Sequence, residues 1–177
     1  MGESGSAKPR WLAVDLAAQV LTLFQGPTAL HRWPVSTGRQ GIGEGEGSGR
    51  TPRGWHRIRA CIGAGQPPGA VFVGRRPTGE VYTSALGRAQ PERDWILSRI
   101  LWLCGEEPGV NRGGRVDTQR RYIYIHGCPD ECPMGIPLSH GCIRMRNTDV
   151  IALFDRITPG TRVWLGVGAP PGRKEVG

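Results

Sequence analysis

Glycine and proline interrupt this chain throughout and limit how far any helix or strand can run. The 177 residues include 28 glycines and 15 prolines, and 38% are hydrophobic. Because both residues break regular structure, the apolar runs between them are short. Short apolar runs bounded by turn residues are typical of strands. The sequence therefore predicts one mainly β domain, large enough to fold without disulfides or a structural metal ion.

The N-terminal third predicts three strands, with Gly26 and Pro27 marking a turn before the third of them. A helix over Leu12–Phe24 is the alternative, because the apolar spacing there is ambiguous and the alanines favour a helix. The strands expected along the whole chain are Trp11–Asp15, Val20–Phe24, Ala29–Val35, Trp55–Cys61, Ala70–Val73, Tyr122–Ile125 and Thr161–Val167.

Two segments predict helices. In residues 91–105 the apolar residues recur at the spacing of one helix face, with Pro91 at the start and Gly105 at the end. The second helix begins at Asn147 or Thr148 as its N-cap and ends before Pro159. Its apolar face consists of Val150, Ile151, Leu153, Phe154 and Ile157.

The run Gly38–Gly49 lacks periodicity and predicts an exposed, mobile loop. Its spaced glycines do not lie between a strand and a helix, which argues against a phosphate-binding loop. We expect residues 1–9 and 168–177 to be flexible, leaving residues 10–167 as the single domain.

The formal net charge is +8, and nearly all the basic residues are arginines. This charge favours anionic partners or reflects codon usage. The arginines are scattered and form no basic helix, so no nucleic-acid partner is expected.

The N-terminus resembles no secretory leader, and no run is long enough to span a membrane. Five cysteines do not suit a secreted disulfide framework, so the sequence predicts a cytoplasmic protein, or a periplasmic one if a leader has been removed.

The stretch IHGCPDECPMGIPLSHGCIRM, residues 125–145, concentrates two histidines and three cysteines. Zinc binding is one interpretation, as a structural or binding module, but the spacing lacks paired C-x2-C knuckles. A redox pair is a second, although Cys128 and Cys132 lack the C-x-x-C spacing of thioredoxin-like enzymes. A thiol nucleophile with a histidine base is the third, and it needs neither a metal nor a cofactor.

The third interpretation uses the local sequence best. His126 ends an apolar strand and precedes Cys142 by 16 residues, a separation in sequence that a hairpin or a loop return can close. Gly141, directly before Cys142, lets a substrate carbonyl approach the backbone and its amides. An imidazole beside the thiol would favour the reactive thiolate, whereas a buried, inert thiol is the alternative.

The same residues resemble the L,D-transpeptidase catalytic domain, or YkuD domain. The resemblance lies in IHG, in SHGCIRM after a spacer, and in NTDVIALFDRITPGTRVWL. Upstream, VDLAAQVLTLF, VSTG and TPRGWHRI resemble the family's segments in the same order, so the match runs from Trp11 to Leu165. It implies a β-sandwich of the L,D-transpeptidase type with one or two packed helices.

The resemblance also implies roles for individual residues. Cys142 would be the nucleophile and His126 its general base, oriented by the main-chain carbonyl of Gly127. Backbone amides around Gly141 and Cys142 would form the oxyanion hole. Ser139 and His140 would shape the pocket, and Arg144 would either bind a substrate carboxylate or brace its loop.

Family members act on peptidoglycan stem peptides, attacking the carbonyl of the third residue and releasing D-alanine through a thioester. Water as acceptor trims the peptide, whereas an amine gives a cross-link or exchange. A cytoplasmic enzyme would meet soluble muropeptides, so an L,D-carboxypeptidase of muropeptide recycling is expected, with an L,D-transpeptidase as the alternative. Scattered arginines suit a substrate with several carboxylates.

Two features depart from the family pattern. Cys128 and Cys132 lie in the spacer and are either redox modulators or incidental loop cysteines. The long run Gly38–Gly49 is unusual, and we expect it to lie over the cleft and restrict bulky acceptors.

Overall fold

The computed structural model describes residues 5–172. Within that range the chain forms ten strands, two α-helices and one short 3-10 helix. The strands are β1 Arg10–Asp15, β2 Val20–Gln25, β3 Thr28–Pro34, β4 Gly54–Ile62, β5 Ala70–Val73, β6 Arg76–Val81, β7 Ile96–Gly105, β8 Tyr124–Gly127, β9 Ile143–Met145 and β10 Arg162–Gly166; the helices are α1 Ser84–Ala89, α2 Asn147–Phe154 and the 3-10 helix Gly114–Val116.

All ten strands belong to one sheet. Its main path has the order β3-β2-β1-β10-β4-β7-β5-β6, and β8 joins β7 and carries β9. Two pairs are parallel, β1 with β10 and β8 with β9, whereas the other pairs are antiparallel. Strand β7 is therefore the junction of the sheet, and β8 and β9 lie beside it.

The main apolar core is formed by side chains of β1, β2, β4, β7, β8, β9 and β10 together with those of α2. Because side chains alternate along a strand, each contributing strand sends every second residue into the core. The mainly β fold and the first three predicted strands are thus confirmed, and the alternative helix over Leu12–Phe24 does not form. The fully buried members of this core are Leu12, Val14, Leu21, Leu23, Val35, Leu101, Leu103, Ile125, Ile143, Met145, Val150, Leu153, Val163 and Leu165.

The helix predicted over residues 91–105 is wrong, because Ile96–Gly105 is the central strand β7. This strand pairs with β4, β5 and β8 and is buried on both faces. Its apolar residues therefore do not alternate with polar ones and imitate helical spacing. A register shift between Leu97 and Ile100, where Ser98 has a φ of 70°, disturbs the pattern further.

The run Gly38–Gly49 is also not the exposed loop that the sequence predicts. Most of its residues are half-buried, and Gly38 is buried. Ile42, the one bulky apolar residue of the run, packs against the main core. Its backbone forms a bridge with Thr51, so the run folds back on itself.

Helix α2 lies where it was predicted, but neither Asn147 nor Thr148 is its N-cap. The cap is Arg146, without a side-chain hydrogen bond. The Asn147 amide instead donates to the Cys128 carbonyl at 2.9 Å and to Asp130 Oδ1 at 3.1 Å. The side chain that reads as a cap therefore fastens the loop after β8.

The flexible ends predicted for residues 1–9 and 168–177 fall partly outside the described residues, at 1–4 and 173–177. The domain boundaries stay a prediction. None of the helices among residues 5–172 is long and apolar enough to cross a membrane.

A buried histidine in β4 makes the fold acid-sensitive. His56 is fully buried and bonded to the Gly54 carbonyl and to Thr118 Oγ1 at 3.0 and 2.9 Å. Burial lowers its pKa to about 4. The unfolded chain binds a proton near pH 6.5 and the folded chain does not, so stability falls as the pH falls from 6.5 to 4, by about 3 kcal/mol.

Urea unfolding at pH 7 and pH 4 measures this loss of stability. We expect a smaller difference between the two pH values in His56→Gln, whereas His31→Gln, which changes an exposed histidine, keeps the full difference. An unchanged pH dependence in His56→Gln would contradict this assignment.

Candidate active site

The pairing of β8 with β9 gathers the chemically important side chains on one face. The register places Ile125 opposite Ile143, and both point into the core. Residues one position away on each strand face the other side, because side chains alternate. Cys142 directly precedes β9 and shares this face through the same register. The face therefore carries Tyr124, His126, Cys142 and Arg144.

His126 is a buried imidazole with a defined tautomer. Its Nδ1 lies 2.6 Å from the Gly127 carbonyl oxygen, and the side chain is 1% exposed. A carbonyl only accepts, so Nδ1 carries the hydrogen and Nε2 keeps its lone pair. Burial lowers the pKa of His126, although the Gly127 carbonyl opposes this shift. The neutral imidazole thus presents Nε2 as a base.

Gly127 occupies a position where a larger residue does not fit. A Cβ atom there would lie 2.5 Å from Asn147 Oδ1 and 2.6 Å from the Leu97 carbonyl oxygen. The glycine therefore lets the end of β8 pack tightly against β7 and α2. This packing holds the carbonyl that accepts from His126.

Cys142 is half-buried, with its thiol directed at the backbone around the start of β8. Sγ accepts from the Tyr124 N–H at 3.3 Å and donates to the Tyr122 carbonyl at 3.4 Å. Tyr122 adopts a φ of 55°, which is rare outside glycine and directs this carbonyl. Among residues 5–172 the thiol makes no hydrogen bond to His126.

The resting thiol is protonated. Burial, assisted by the Asp94 carboxylate, raises the pKa of Cys142 to about 12. The Tyr124 N–H and the guanidinium groups of Arg144 and Arg121 oppose this effect. With His126 also neutral, the free site holds a thiol and an imidazole rather than an ion pair.

Ser139 organises the turn that carries the nucleophile. Its hydroxyl donates to the Cys142 carbonyl at 2.6 Å and accepts from the Gly141 N–H at 3.1 Å. The Gly141 amide is therefore occupied. The Cys142 N–H has no hydrogen-bond partner in the described part of the chain, so it is free to bind an oxyanion.

Replacing Ser139 with alanine should loosen this turn. One buried and one partly buried hydrogen bond are lost, which we expect to lower the free energy of unfolding by about 1–3 kcal/mol. A displaced Cys142 should also lower activity by about tenfold. Urea unfolding and rate measurements on Ser139→Ala test both effects, with Ser6→Ala, an exposed serine, as the control. Wild-type values for both quantities would show that the turn does not need this hydroxyl.

The segments VSTG and TPRG hold the same turn, which the sequence suggested only through resemblance. Thr51 donates to the Gly141 carbonyl at 2.9 Å and accepts from the Gly38 N–H at 2.8 Å. Ser36 exchanges two backbone hydrogen bonds with Arg144, and its hydroxyl accepts from the Leu138 N–H. These two polar side chains, 0% and 1% exposed, therefore position the nucleophile from outside the motif.

The run Gly38–Gly49 ends beside the nucleophile. A Cβ atom on Gly141, whose φ is 121°, would lie 3.0 Å from the Arg50 carbonyl oxygen. Arg121 donates to that carbonyl at 2.6 Å and to the Gly43 carbonyl at 3.4 Å. Arg121 thereby fastens the run on one side of Cys142, a role that nothing in its local sequence indicates.

His140 and Arg144 border a cavity of about 350 Å³ next to this turn. His140 is exposed, with Nδ1 3.7 Å from Asp94 Oδ1. Arg144 is only 16% exposed and lies 3.6 Å from the same carboxylate. It also donates to the Leu138 carbonyl at 3.4 Å, so Arg144 contacts both the cavity and its own loop.

Arg75, which the sequence did not indicate as a site residue, contacts Tyr124, whose N–H donates to the Cys142 thiol. Arg75 occupies the β5–β6 turn and donates to the Tyr124 hydroxyl at 3.0 Å. Its guanidinium stacks 4.5 Å from the centre of Trp102 and 5.1 Å from that of Tyr122. Only the Gly74-Arg75 turn between two short strands could have indicated its position.

The five potential metal ligands of residues 125–145 do not converge. Among residues 5–172 no three His, Cys, Asp or Glu side chains gather as a metal site requires. His140 points to Asp94 rather than to a cysteine, while Cys128 and Cys132 form a separate pair with each other.

The chain is similar to known proteins over most of its length. The chain matches the family YkuD, "L,D-transpeptidase catalytic domain", over residues 9–165. YkuD of Bacillus subtilis (strain 168), named as an L,D-transpeptidase, is 24% identical over 156 residues, covering 88% of this chain and 65% of YkuD. YbiS of Escherichia coli (strain K12), also named as an L,D-transpeptidase, is 44% identical over 43 residues, covering 24% of this chain and 14% of YbiS. The chain therefore aligns with less than two thirds of either relative.

Solved structures share the fold. L,D-transpeptidase 3 from Mycobacterium tuberculosis, determined with a faropenem-derived adduct, has a TM-score of 0.54 at 15% identity, covering 89% of this chain and 60% of that one. Bd1075 of Bdellovibrio bacteriovorus has a TM-score of 0.53 at 16% identity, covering 93% of this chain and 50% of that one.

Proposed function

Because this chain belongs to the YkuD family of L,D-transpeptidase catalytic domains and is an enzyme of that family, we propose that it transfers the acyl group of peptidoglycan stem tetrapeptides through a Cys142 thioester. One observation carries this proposal. The hydrogen bond from His126 Nδ1 to the Gly127 carbonyl, 2.6 Å long, leaves Nε2 as a base on the face that carries the Cys142 thiol.

Proton transfer starts from the neutral pair. A bound substrate would displace the thiol from the Tyr122 carbonyl, and rotation about the Cα–Cβ bond would turn Sγ towards Nε2 of His126. Hydrogen bonds of this kind are often long in free enzymes and shorten with substrate. His126 then accepts the thiol proton as sulfur attacks the carbonyl carbon of the third stem residue.

The tetrahedral intermediate then releases D-alanine. The Cys142 N–H would bind the oxyanion, since the Gly141 N–H is occupied by Ser139. The protonated His126 gives its proton to the departing amine as the C–N bond breaks, leaving a thioester on Cys142. An acceptor loses a proton to His126 and attacks the thioester, which restores the thiol.

The cavity beside Arg144 suits a stem peptide that carries several carboxylates. Arg39, Arg93 and Arg144 line it, against Glu92 and Asp94. Guanidinium groups bind carboxylates through paired N–H donors. We assign the substrate-binding role to Arg144 on this ground, with the exposed imidazole of His140 at the cavity mouth.

We propose water as the acceptor, so that the enzyme acts as an L,D-carboxypeptidase. Arg121 fastens the run Gly38–Gly49 and Arg50, whose carbonyl lies close to Gly141, and we infer that this segment narrows the acceptor side of Cys142. A narrow acceptor side admits water more readily than a cross-linking peptide. The names of the curated relatives favour the second candidate, an L,D-transpeptidase with an amine acceptor.

Mass spectrometry of one reaction separates these possibilities. The enzyme is incubated with the tetrapeptide L-Ala-γ-D-Glu-meso-diaminopimelate-D-Ala, with and without D-methionine. Release of D-alanine with free tripeptide in both reactions supports the carboxypeptidase. An exchanged tetrapeptide or a peptide dimer supports the transpeptidase, and intact substrate after incubation with folded enzyme would overturn both.

Recycling of soluble muropeptides and a cytoplasmic location belong to the same proposal. Immunoblotting of cytoplasmic and envelope fractions tests the location, and recovery in the envelope fraction would contradict it.

A further inference from the structure

Two cysteines outside the catalytic pair contact each other in the loop after β8. A side-chain hydrogen bond joins the sulfur atoms of the buried Cys128 and the half-buried Cys132. The Cys128 N–H and the Cys128 thiol also both donate to the Met145 carbonyl oxygen, at 3.2 and 3.4 Å, which fixes Cys128 against β9. All five cysteines of the chain are free thiols.

The loop that carries the pair has little freedom to separate the two sulfurs. The Cys132 N–H donates to the Pro129 carbonyl at 2.9 Å and closes a turn. Asn147 binds the Cys128 carbonyl and Asp130, and Tyr82 donates to Glu131 at 2.5 Å. Four hydrogen bonds thus hold the five-residue loop in the conformation that keeps the thiols together.

The two thiols differ in access. Cys128 is 1% exposed, whereas Cys132 is half-buried and lines the cavity of about 350 Å³ that also contacts Arg144. A small solute in that cavity therefore reaches Cys132 before Cys128.

The two thiols also differ in charge. The hydrogen bond from Cys128 lowers the pKa of Cys132 to about 7, and the Arg144 guanidinium acts in the same direction. Burial and the Glu131 carboxylate oppose this shift. The same hydrogen bond raises the pKa of Cys128, the donor. Cys132 is therefore partly a thiolate at neutral pH, whereas the pKa of Cys142 is near 12.

We infer that Cys128 and Cys132 form a peroxide-reactive thiol pair, separate from the nucleophile, in which Cys132 is attacked first and Cys128 resolves the product. The oxidant is a small hydroperoxide that enters through the cavity. The pair gives the enzyme an oxidised form in which the Cys142 thiol is still intact.

The reaction balances with one equivalent of hydrogen peroxide. The Cys132 thiolate attacks one peroxide oxygen, the O–O bond breaks, and a sulfenic acid and hydroxide form. Once Cys132 is uncharged, Cys128 no longer donates to a thiolate and loses its proton more easily. The Cys128 sulfur then attacks the Cys132 sulfur, the S–O bond breaks, and water leaves. Two thiols lose two electrons to peroxide, giving one disulfide and two waters.

Relative rates give the size of the effect. Cys132 is about half thiolate at pH 7, whereas Cys61, whose pKa burial raises above 9, is at most about 1% thiolate. Cys132 thus has about a fiftyfold advantage in thiolate fraction. A thiolate of lower pKa is also a weaker nucleophile, which reduces this advantage by about tenfold. Cys132 should therefore react with peroxide about five times faster than Cys61.

Peptide mapping by mass spectrometry tests the proposal without any activity assay. The full-length enzyme receives one equivalent of hydrogen peroxide at pH 7, and remaining thiols are then alkylated. We expect a Cys128–Cys132 disulfide as the main product and alkylated Cys61, Cys104 and Cys142. Cys128→Ser should accumulate sulfenic acid at Cys132, trapped by dimedone, and Cys132→Ser should form no disulfide.

The matched control is Cys104→Ser, which should still form the Cys128–Cys132 disulfide. Oxidation of Cys142 before Cys132, or equal oxidation of all five thiols, would overturn the inference. The inference would also be overturned if no disulfide formed and Cys132 were recovered in its alkylated form. Because the readout is covalent, loss of the proposed acyl transfer would leave this result unchanged, and the two proposals fail separately.

Discussion

The variant Cys142→Ala should lose D-alanine release from the tetrapeptide by about 10⁴-fold or more, since no other group on this face can form the thioester. The half-buried thiol contributes two weak hydrogen bonds, to Tyr124 and Tyr122, so the fold should survive the change. Chromatographic quantification of D-alanine gives the rate, and thermal unfolding shows that the variant is folded.

Cys61→Ala is the matched control for this prediction. Cys61 is also half-buried and free, but it lies in β4 and packs against the main core. We expect its variant to keep wild-type activity. Substantial activity in folded Cys142→Ala would remove the nucleophile from the account and leave the thioester without an attachment point.

The variant His126→Gln should slow the reaction by about 10²–10⁴-fold, the usual contribution of a general acid and base. Glutamine can still bond the Gly127 carbonyl through its amide, but it cannot accept the thiol proton. The loss should fall on kcat more than on KM, because His126 is buried and acts on the reacting atoms. Steady-state kinetics measure the two constants separately.

The pH profile of the wild-type enzyme checks the same residue. A base works only when unprotonated, and burial lowers the pKa of His126 below its usual 6.5. Activity should therefore persist below pH 6.5 before it declines, and this acid limb should vanish in His126→Gln. The variant His31→Gln, in exposed β3, should keep the wild-type profile. If activity still declines at low pH in His126→Gln, this decline reports the titration of another group and not of His126.

Local pattern was enough for most strands of this fold, including β4, β5 and β10, but not for the central strand β7. Strands β1, β2 and β3 follow turn residues and short apolar runs, and the structure has them within a residue or two of the prediction. Strand β7 was mistaken for a helix because a strand buried on both faces lacks alternation. The pairing partners that decide between these states lie far away in sequence, in β4 and β8.

The short elements around the site were missed for a related reason. Strand β9 has three residues, and it exists because Ile143 pairs with Ile125 in β8. Strand β6 and helix α1 are mostly exposed and contain no buried residue, and in α1 only Leu86 packs against a core cluster. Without burial there is no periodicity to detect.

The motif residues of the site were visible in the sequence, whereas their supports were not. His126 and Cys142 stand in a recognisable pattern, and the structure places them on one face. Thr51, Arg121 and Asn147 act through hydrogen bonds to carbonyls more than a dozen residues away in sequence. Such bonds depend on tertiary packing, which explains why Asn147 was interpreted as a helix cap.

The thioester itself is the most direct test of the account. The enzyme is mixed with the tetrapeptide, quenched in acid within a turnover, and digested for mass spectrometry. We predict that the peptide containing Cys142 gains the mass of the tripeptide acyl group, with one D-alanine released per modified enzyme. D-alanine released without any acyl group on Cys142, or an acyl group on another cysteine, would contradict it.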